Sequence, residues 1–360
     1  MSARATARAA APAAPVVPDG SAELVREVLE EYGAAARIGL LRYVGGGEPR
    51  RHLYDLTADY PTRGGRSLRA SLCIATARVF GASLEEAINS AVALELLHNA
   101  FLVHDDIEDE SEERRGRPTL HQLHGVPLAI NAGDALAVMS LRPLMENRRT
   151  LGPALALRIL EEAERMARES VEGQAIELGW RRDNVVDLGD HDYLHMILKK
   201  TCWYTTIYPC RVGALIGSRD GVDLDRYLRF AFFLGASFQI EDDLLNLTGD
   251  PVRYGKEING DILEGKRTLM LIRLFQAAQP SETETLRQLL GQERGRRGPD
   301  DVRWVRRRME TYDCIGHATR VAHGLAGAAR HEFETAFAGL PESRDLAFMR
   351  ALATWVIARA

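Results

Sequence analysis

The sequence predicts an all-α protein, a single large helical bundle, on three observations. From Ser21 onward Ala, Leu, Glu and Arg dominate, and all four are good helix formers. Alternating runs of β-branched residues are missing, which makes a sheet hard to place. At 46% apolar over 360 residues, the chain can bury a substantial core. Neither a fixed-period repeat nor an internal linker divides residues 21–360, so they read as one domain. Residues 1–20 are rich in Ala, Pro and Arg, with Asp19 their only acid. Transit peptides share part of that composition. Pro12, Pro15 and Pro18 oppose helix formation and no apolar signal core is present, so a disordered tail is expected.

The helices can be justified in order. Ser83-Leu84-Glu85-Glu86 is a capping-box pattern placed ahead of Ala87–Val103, a stretch apolar enough to be buried on most faces. Pro153 suits a first helical position, opening a helix to about Glu177. Further helical stretches run from Tyr193 to Gly217 and from Leu224 to Leu247. The expected loops are Gly45–Pro49, Pro61–Gly65, Arg181–Asp190, Thr248–Gly260 and Gly291–Asp301.

Composition excludes several classes. Lys and Arg total 46 against 51 for Asp and Glu, and this net charge of -5 does not suit a nucleic-acid binder. Cys73, Cys202, Cys210 and Cys314 form no C-x-x-C pair, so neither a zinc site nor a redox motif is indicated. A reduced cytoplasm is the simplest setting. No apolar run reaches the length of a membrane-spanning helix.

Two acidic clusters carry the chemistry. Asp105, Asp106 and Asp109 end the most apolar helix, and Asp105 and Asp109 share a helix face. Carboxylates at a helix C-terminus oppose its dipole, so placing several there costs stability unless a cation offsets them. Asp242, Asp243 and Asn246 follow the apolar run Phe230–Phe238, and Asp242 and Asn246 repeat the four-residue spacing. Magnesium suits such sites, because it takes one or two carboxylates together with water and phosphate oxygens. Either cluster alone reads equally well as a solvated helix end; two copies, each ending an apolar helix, make that reading weaker. Arg66 and Arg69 share a face of a helix start after Gly64-Gly65, and Arg114-Arg115 follow the first cluster within two helical turns. Lys200, Lys256 and Lys266 are further candidates for phosphate.

Six segments then fall in a recognisable order: GGRSLR, LELLHNAFLVHDDIEDESEERRGRPTLHQLHG, VEGQAIELGWRRD, LKKT, FFLGASFQIEDDLLNLTGD and YGKEINGDILEGKRTL. Together they resemble the trans-polyprenyl diphosphate synthases, and most of all the geranylgeranyl diphosphate synthases, over roughly Ser21 to Ala360. The resemblance implies a helical bundle around a central apolar cavity. It implies that Asp105, Asp106 and Asp109 hold magnesium ions on an allylic diphosphate, with Asp242, Asp243 and Asn246 holding a further ion opposite. Arg114, Lys200 and Lys256 would contact that diphosphate, with Lys266 as a further substrate-binding cation. Arg66, Arg69, His98 and Arg115 would bind the diphosphate of isopentenyl diphosphate. Thr201 and Gln239 would line the reacting carbons. The implied reaction ionises the allylic diphosphate, adds isopentenyl diphosphate to the cation and loses a proton. Three positions depart from the common pattern: Asn246 and Glu177 stand where aspartate is usual, and Arg66 where lysine is usual.

Product length in such enzymes is governed by bulk below the first aspartates. Phe101 lies one turn, roughly 5.4 Å, below Asp105. Its ring argues for a C15 product, whereas the small Ala100 and the likeness as a whole favour C20. His191 and His195 read as a surface pair, Trp180 and Trp203 as core, and Arg306–Arg308 as a solvated face. A terpene cyclase on the same fold and a non-catalytic synthase subunit are the competing functions. Retained basic residues for a second diphosphate argue against the first, and the intact aspartates against the second. Family members are usually homodimers, so a homodimer is expected.

Overall fold

The computed structural model describes residues 19–249 and 257–358, almost all of them helical. The chain runs through α1 (Asp19–Leu40), α2 (Asp55–Thr62), α3 (Leu68–Val79) and α4 (Leu84–Glu108). A two-stranded hairpin, β1 (Glu113–Arg114) with β2 (Arg117–Pro118), leads into α5 (Leu120–His124), α6 (Val126–Thr150) and α7 (Pro153–Arg182). Next come α8 (Asp190–Ile197), a π-helical stretch Leu198–Ile207, α9 (Tyr208–Ser218) and α10 (Leu228–Thr248). The C-terminal part adds α11 (Gly260–Glu264), α12 (Leu269–Ala277), α13 (Pro280–Leu290), α14 (Pro299–Thr311), α15 (Cys314–Ala336) and α16 (Arg344–Trp355).

The central helix α4 explains its own composition. Ser83 caps it in a complete capping box: its Oγ accepts from the Glu86 amide at 3.3 Å, and the Glu86 carboxylate accepts from the Ser83 amide at 2.8 Å. Beyond the cap, Ala91, Ala93 and Leu94 pack into a large core shared with α3, α9, α10 and α15, while Leu96, Ala100 and Val103 face a smaller core built with α6. A helix buried on both sides has no polar stripe to spare, and each fully buried leucine contributes about 1.5–3 kcal/mol. Helix α10 is fixed from behind by α15, where the Phe230 ring lies 5.4 Å from Phe333 and 5.5 Å from Phe337. All four cysteines are buried and unbridged. No helix among the described residues is long and apolar enough to cross a membrane.

Several boundaries differ from expectation. Helix α1 starts at Asp19, two residues before Ser21, and residues 1–18 of the anticipated tail lie outside the described residues. Helix α2 runs to Thr62, inside the anticipated Pro61–Gly65 loop, and α7 continues to Arg182. Arg66 precedes α3 rather than starting it, because the N-cap Ser67 is left-handed at φ 47°. Arg114 and Arg115 sit on the hairpin instead of a helix. Arg115 and Gly116, at φ 55° and 69°, form its two-residue turn, and that left-handed pair matches the twist of the strands.

Candidate active site

The two acidic helix ends meet across a cavity of about 380 Å³. Helix α4 brings Asp105, α10 brings Gln239, Asp242 and Asp243, the π-helical stretch brings Lys200 and Thr201, and Asp261 and Lys266 close the rim. The π stretch is seated by Gly173 of α7: a Cβ there would stand 2.1 Å from the Lys200 amide nitrogen. Only glycine lets the two backbones approach so closely, and π segments are enriched at functional sites.

The three aspartates of the first cluster differ sharply. The Asp105 side chain is partly exposed to the cavity and lies 3.3 Å from Lys200 Nζ. Asp106 is fully buried; both its oxygens accept from Arg114, at 2.8 and 2.7 Å from Nε, and Tyr60 donates its hydroxyl at 2.5 Å. Asp109, which closes α4, is paired with Arg181 and lies 2.7 Å from Lys266 Nζ. Lys200 is also bonded to the buried Glu177 carboxylate. Burial alone would pull the Lys200 ammonium down, but Glu177 and Asp105 outweigh it and hold its pKa above the ordinary lysine value.

In the second cluster Asp242 lines the cavity, while Asp243 accepts from the Tyr193 hydroxyl and from Gln239 Nε2, each at 2.7 Å. Burial pushes the Asp243 carboxyl up to about 6 against those hydrogen bonds. Asn246 lines the cleft beside Asp105, Asp109 and Asp261 and is engaged within the fold through both its polar atoms. Its Nδ2 donates to the Glu257 carbonyl at 3.2 Å and its Oδ1 accepts from the Asp261 amide at 3.2 Å. A carboxylate could not make the first of these bonds, so asparagine here fastens the 257–261 segment to α10.

Among the described residues no three carboxylate, imidazole or thiol groups converge as a preformed metal cage. The donors at the rim are nevertheless hard carboxylate oxygens on two facing helices, Asp105 opposite Asp242, with Asp261 beside them. They fit magnesium, which needs only one or two protein carboxylates when phosphate and water complete its shell.

A second cavity of about 120 Å³ adjoins the first and is lined by Arg66, Arg69, His98 and Arg115 together. Arg69, His98, Arg115 and Phe238 line both cavities. Arg69 Nη1 lies 3.3 Å from His98 Nε2, and its guanidinium stacks 4.4 Å from the Tyr204 ring centre. The Arg66 guanidinium lies 5.8 Å from the Trp355 ring centre. Arg115 Nη1 donates to the Gly64 carbonyl and, at 3.2 Å, to the Tyr60 carbonyl. The adjoining Gly65, at φ 150°, leaves room for that guanidinium, since a Cβ there would stand 2.8 Å from it.

The apolar part of the larger cavity includes Phe101, whose ring meets Tyr204 edge-on at 5.7 Å. Ala100 turns the other way, into the smaller core with Leu96 and Val103, and lines neither cavity. Its small size therefore adds nothing to the depth of the cavity. Lys256 lies outside the described residues. Sequence reasoning missed Tyr60 and Tyr193, which support the clusters from distant helices and carry no local signal, and quoted Arg181 within GWRRD without a role. It quoted Gln174 within VEGQ without a role; the residue donates to Asp105 at 3.4 Å and to Glu108.

A cavity with an apolar wall, carboxylates and cations at its rim and a basic pocket beside it suits an enzyme of phosphorylated substrates. Comparison with known proteins sharpens this. Residues 50–308 match the polyprenyl synthetase family model. The chain is 34% identical over 249 residues to geranylgeranyl diphosphate synthase of Sulfolobus acidocaldarius, covering 69% of this chain and 74% of that protein. It is 36% identical over 232 residues to geranylgeranyl pyrophosphate synthase of Geoglobus acetivorans, covering 64% and 70%. Among solved structures, geranylgeranyl pyrophosphate synthetase from Pyrococcus horikoshii superposes with a TM-score of 0.82 at 28% identity, covering 95% of this chain and all of that one. A Caulobacter crescentus polyprenyl synthase, complexed with calcium and isoprenyl diphosphate, gives 0.81 at 25% identity, covering 94% and 98%. The chain belongs to the polyprenyl synthetase family and is a prenyltransferase with the all-α isoprenoid synthase fold.

Proposed function

We propose that this prenyltransferase joins isopentenyl diphosphate to an allylic diphosphate with magnesium and makes chiefly the C20 product, geranylgeranyl diphosphate. The observation that carries the reading is the pair of adjoining cavities, one predominantly basic and the other acidic, basic and apolar in turn. The 120 Å³ pocket takes isopentenyl diphosphate on Arg66, Arg69, His98 and Arg115. The larger cavity takes the allylic substrate, its diphosphate toward Asp105, Lys200 and Lys266 and its chain toward Phe101. Asp105 and Asp242, with Asp261 beside them, would hold magnesium there, and it would supply charge neutralisation for the departing diphosphate. Lys200 and Lys266 stabilise the same developing negative charge. Thr201 and Gln239 present oxygen dipoles to the allylic cation, and the apolar wall excludes the water that would quench it. Arg114, which lines the larger cavity 3.7 Å from Asp105, faces the same diphosphate; Asp106 holds it in place, and Asn246 fastens the 257–261 segment to α10.

A cyclase needs no pocket for a second diphosphate, and a non-catalytic subunit has no need of Asp105, Asp109 and Asp242 together; both are weaker readings. A second copy of the chain is the expected partner. Ile130, Val138, Leu141 and Met145 expose an apolar stripe along α6, and Leu157 and Leu160 extend it on α7. A reduced cytoplasm remains the setting that four unbridged cysteines favour.

The test is a product assay with magnesium, isopentenyl diphosphate and, in turn, dimethylallyl, geranyl or farnesyl diphosphate. Linear C20 alcohol after dephosphorylation supports the reading; cyclic hydrocarbon formed without isopentenyl diphosphate overturns it. Phe101→Ala should lengthen the product by at least one C5 unit, read by mass. An unchanged distribution from a folded, active variant would exclude Phe101 as the floor.

A further inference from the structure

We infer that Arg37, in the last turn of α1, is a further arginine of the isopentenyl diphosphate pocket and binds that diphosphate directly. The inference rests on the reading above and deepens it. Arg37 lies upstream of residues 50–308, the stretch that matches the family, and belongs to none of its motifs. The fold nevertheless brings it to the wall of the 120 Å³ pocket beside Arg66, Arg69 and Arg115.

Helix α1 is delivered there by close packing: a Cβ on Gly33 would stand 3.1 Å from the Ser67 Cβ, so one turn of α1 rests on the residue that caps α3. Arg37 follows one turn later and is partly buried. Its guanidinium makes no hydrogen bond or ion pair with a described residue. A basic residue near a helix C-terminus interacts favourably with the dipole, which would account for an arginine pointing at solvent. It does not account for one that lines the same pocket as three other arginines, because like charges repel.

One carboxylate answers them. Glu95 is buried in the same wall, accepts from the Ala70 amide at 3.3 Å, and lies in the fields of Arg69, Arg115 and Arg37. Four guanidinium groups and one carboxylate in the wall of one pocket leave a positive excess, which a substrate diphosphate would neutralise. Guanidinium forks are also the side chains best matched to phosphate oxygens.

The experiment uses the full chain with Arg37→Gln, and Arg37→Lys as the conservative partner. Steady-state kinetics would give KM for isopentenyl diphosphate and, separately, for the allylic substrate, with thermal melting as the check on folding. Calorimetric titration with inorganic diphosphate in the absence of magnesium supplies a readout independent of turnover. Loss of a charge-assisted hydrogen bond predicts a rise of roughly 10- to 100-fold in KM for isopentenyl diphosphate in Arg37→Gln. The allylic KM should stay within about twofold, and Arg37→Lys should recover part of the loss. Weaker binding of inorganic diphosphate should accompany these changes. An unchanged KM for isopentenyl diphosphate, or equal rises for both substrates, overturns the inference. Should the wild-type chain fail to elongate any starter, the prenyltransfer reading is what falls. The titration then decides Arg37 alone: weaker diphosphate binding in the variant sustains it, and equal binding overturns it.

Discussion

At the scale of single residues, three neighbouring aspartates have been given different work by their surroundings. Asp105 faces the cavity, so Asp105→Asn should abolish most turnover while the melting temperature stays near that of the wild type. Asp106 has no access to the cavity and neutralises Arg114, which is only 6% exposed. Asp106→Asn leaves that guanidinium only the longer pairing with Asp105 at 3.7 Å, and should destabilise the fold by about 1–3 kcal/mol, read by chemical denaturation. Similar losses of stability in both variants would contradict this division of labour. Glu95 offers a test by pH. Burial raises its pKa above the ordinary glutamate value in spite of the arginines around it. A raised folded-state pKa means that the favourable contribution of the neutral form is present at acid pH and is lost as pH climbs through that pKa. Glu95→Gln keeps the neutral form at every pH. It should melt above the wild type at pH 7, the gap closing as pH falls toward the unfolded glutamate value, about 4.3. A constant offset at all pH values would point to packing instead.

At the scale of elements, the long helices were legible because their signals are local. A capping box, a proline at a first turn and an apolar run longer than any strand are enough to place α4, α7 and α10. The π-helical stretch was not legible, since a shift from i→i+4 to i→i+5 bonding leaves no mark in Leu198–Ile207 when read alone. What selects it is contact with α7 at Gly173, and no local pattern records that contact. The hairpin escaped for the opposite reason: two residues per strand are too few to show alternation. Of the site, the aspartates, Arg66, Arg69, His98 and Arg115 could be read from motifs. The support from Tyr60 and Tyr193 could not, because it comes from helices remote in sequence. Gly173→Ala tests the seating of the π stretch. Its methyl would meet the Lys200 amide at 2.1 Å, so α7 and the π stretch must separate. The expected result is a loss of about 1–3 kcal/mol together with a lower kcat, since Lys200 and Thr201 move with their backbone. Retained kcat would show that the close approach is dispensable.

At the scale of the whole molecule, the apolar stripe on α6 and α7 calls for a partner surface. Val138 is 67% exposed and Met145 58%, large values for apolar side chains on one helix face. Val138→Glu combined with Met145→Glu should convert a dimer to a monomer by light scattering, with little change in helix content; a dimer that survives both charges would place the interface elsewhere. Within one chain, the hairpin turn has a consequence of its own. Consecutive residues leave it in different directions, Arg114 to the buried Asp106 and Arg115 to the wall of the basic pocket. Tyr60 touches both ends, its hydroxyl on Asp106 and its carbonyl on Arg115. Displacing one guanidinium therefore pulls on the other through a rigid link two residues long. Thermodynamic reciprocity follows from such a link: whatever factor one bound substrate imposes on the affinity of the second, the second must impose on the first. The turn thus ties the two sites together in both directions alike, through backbone geometry.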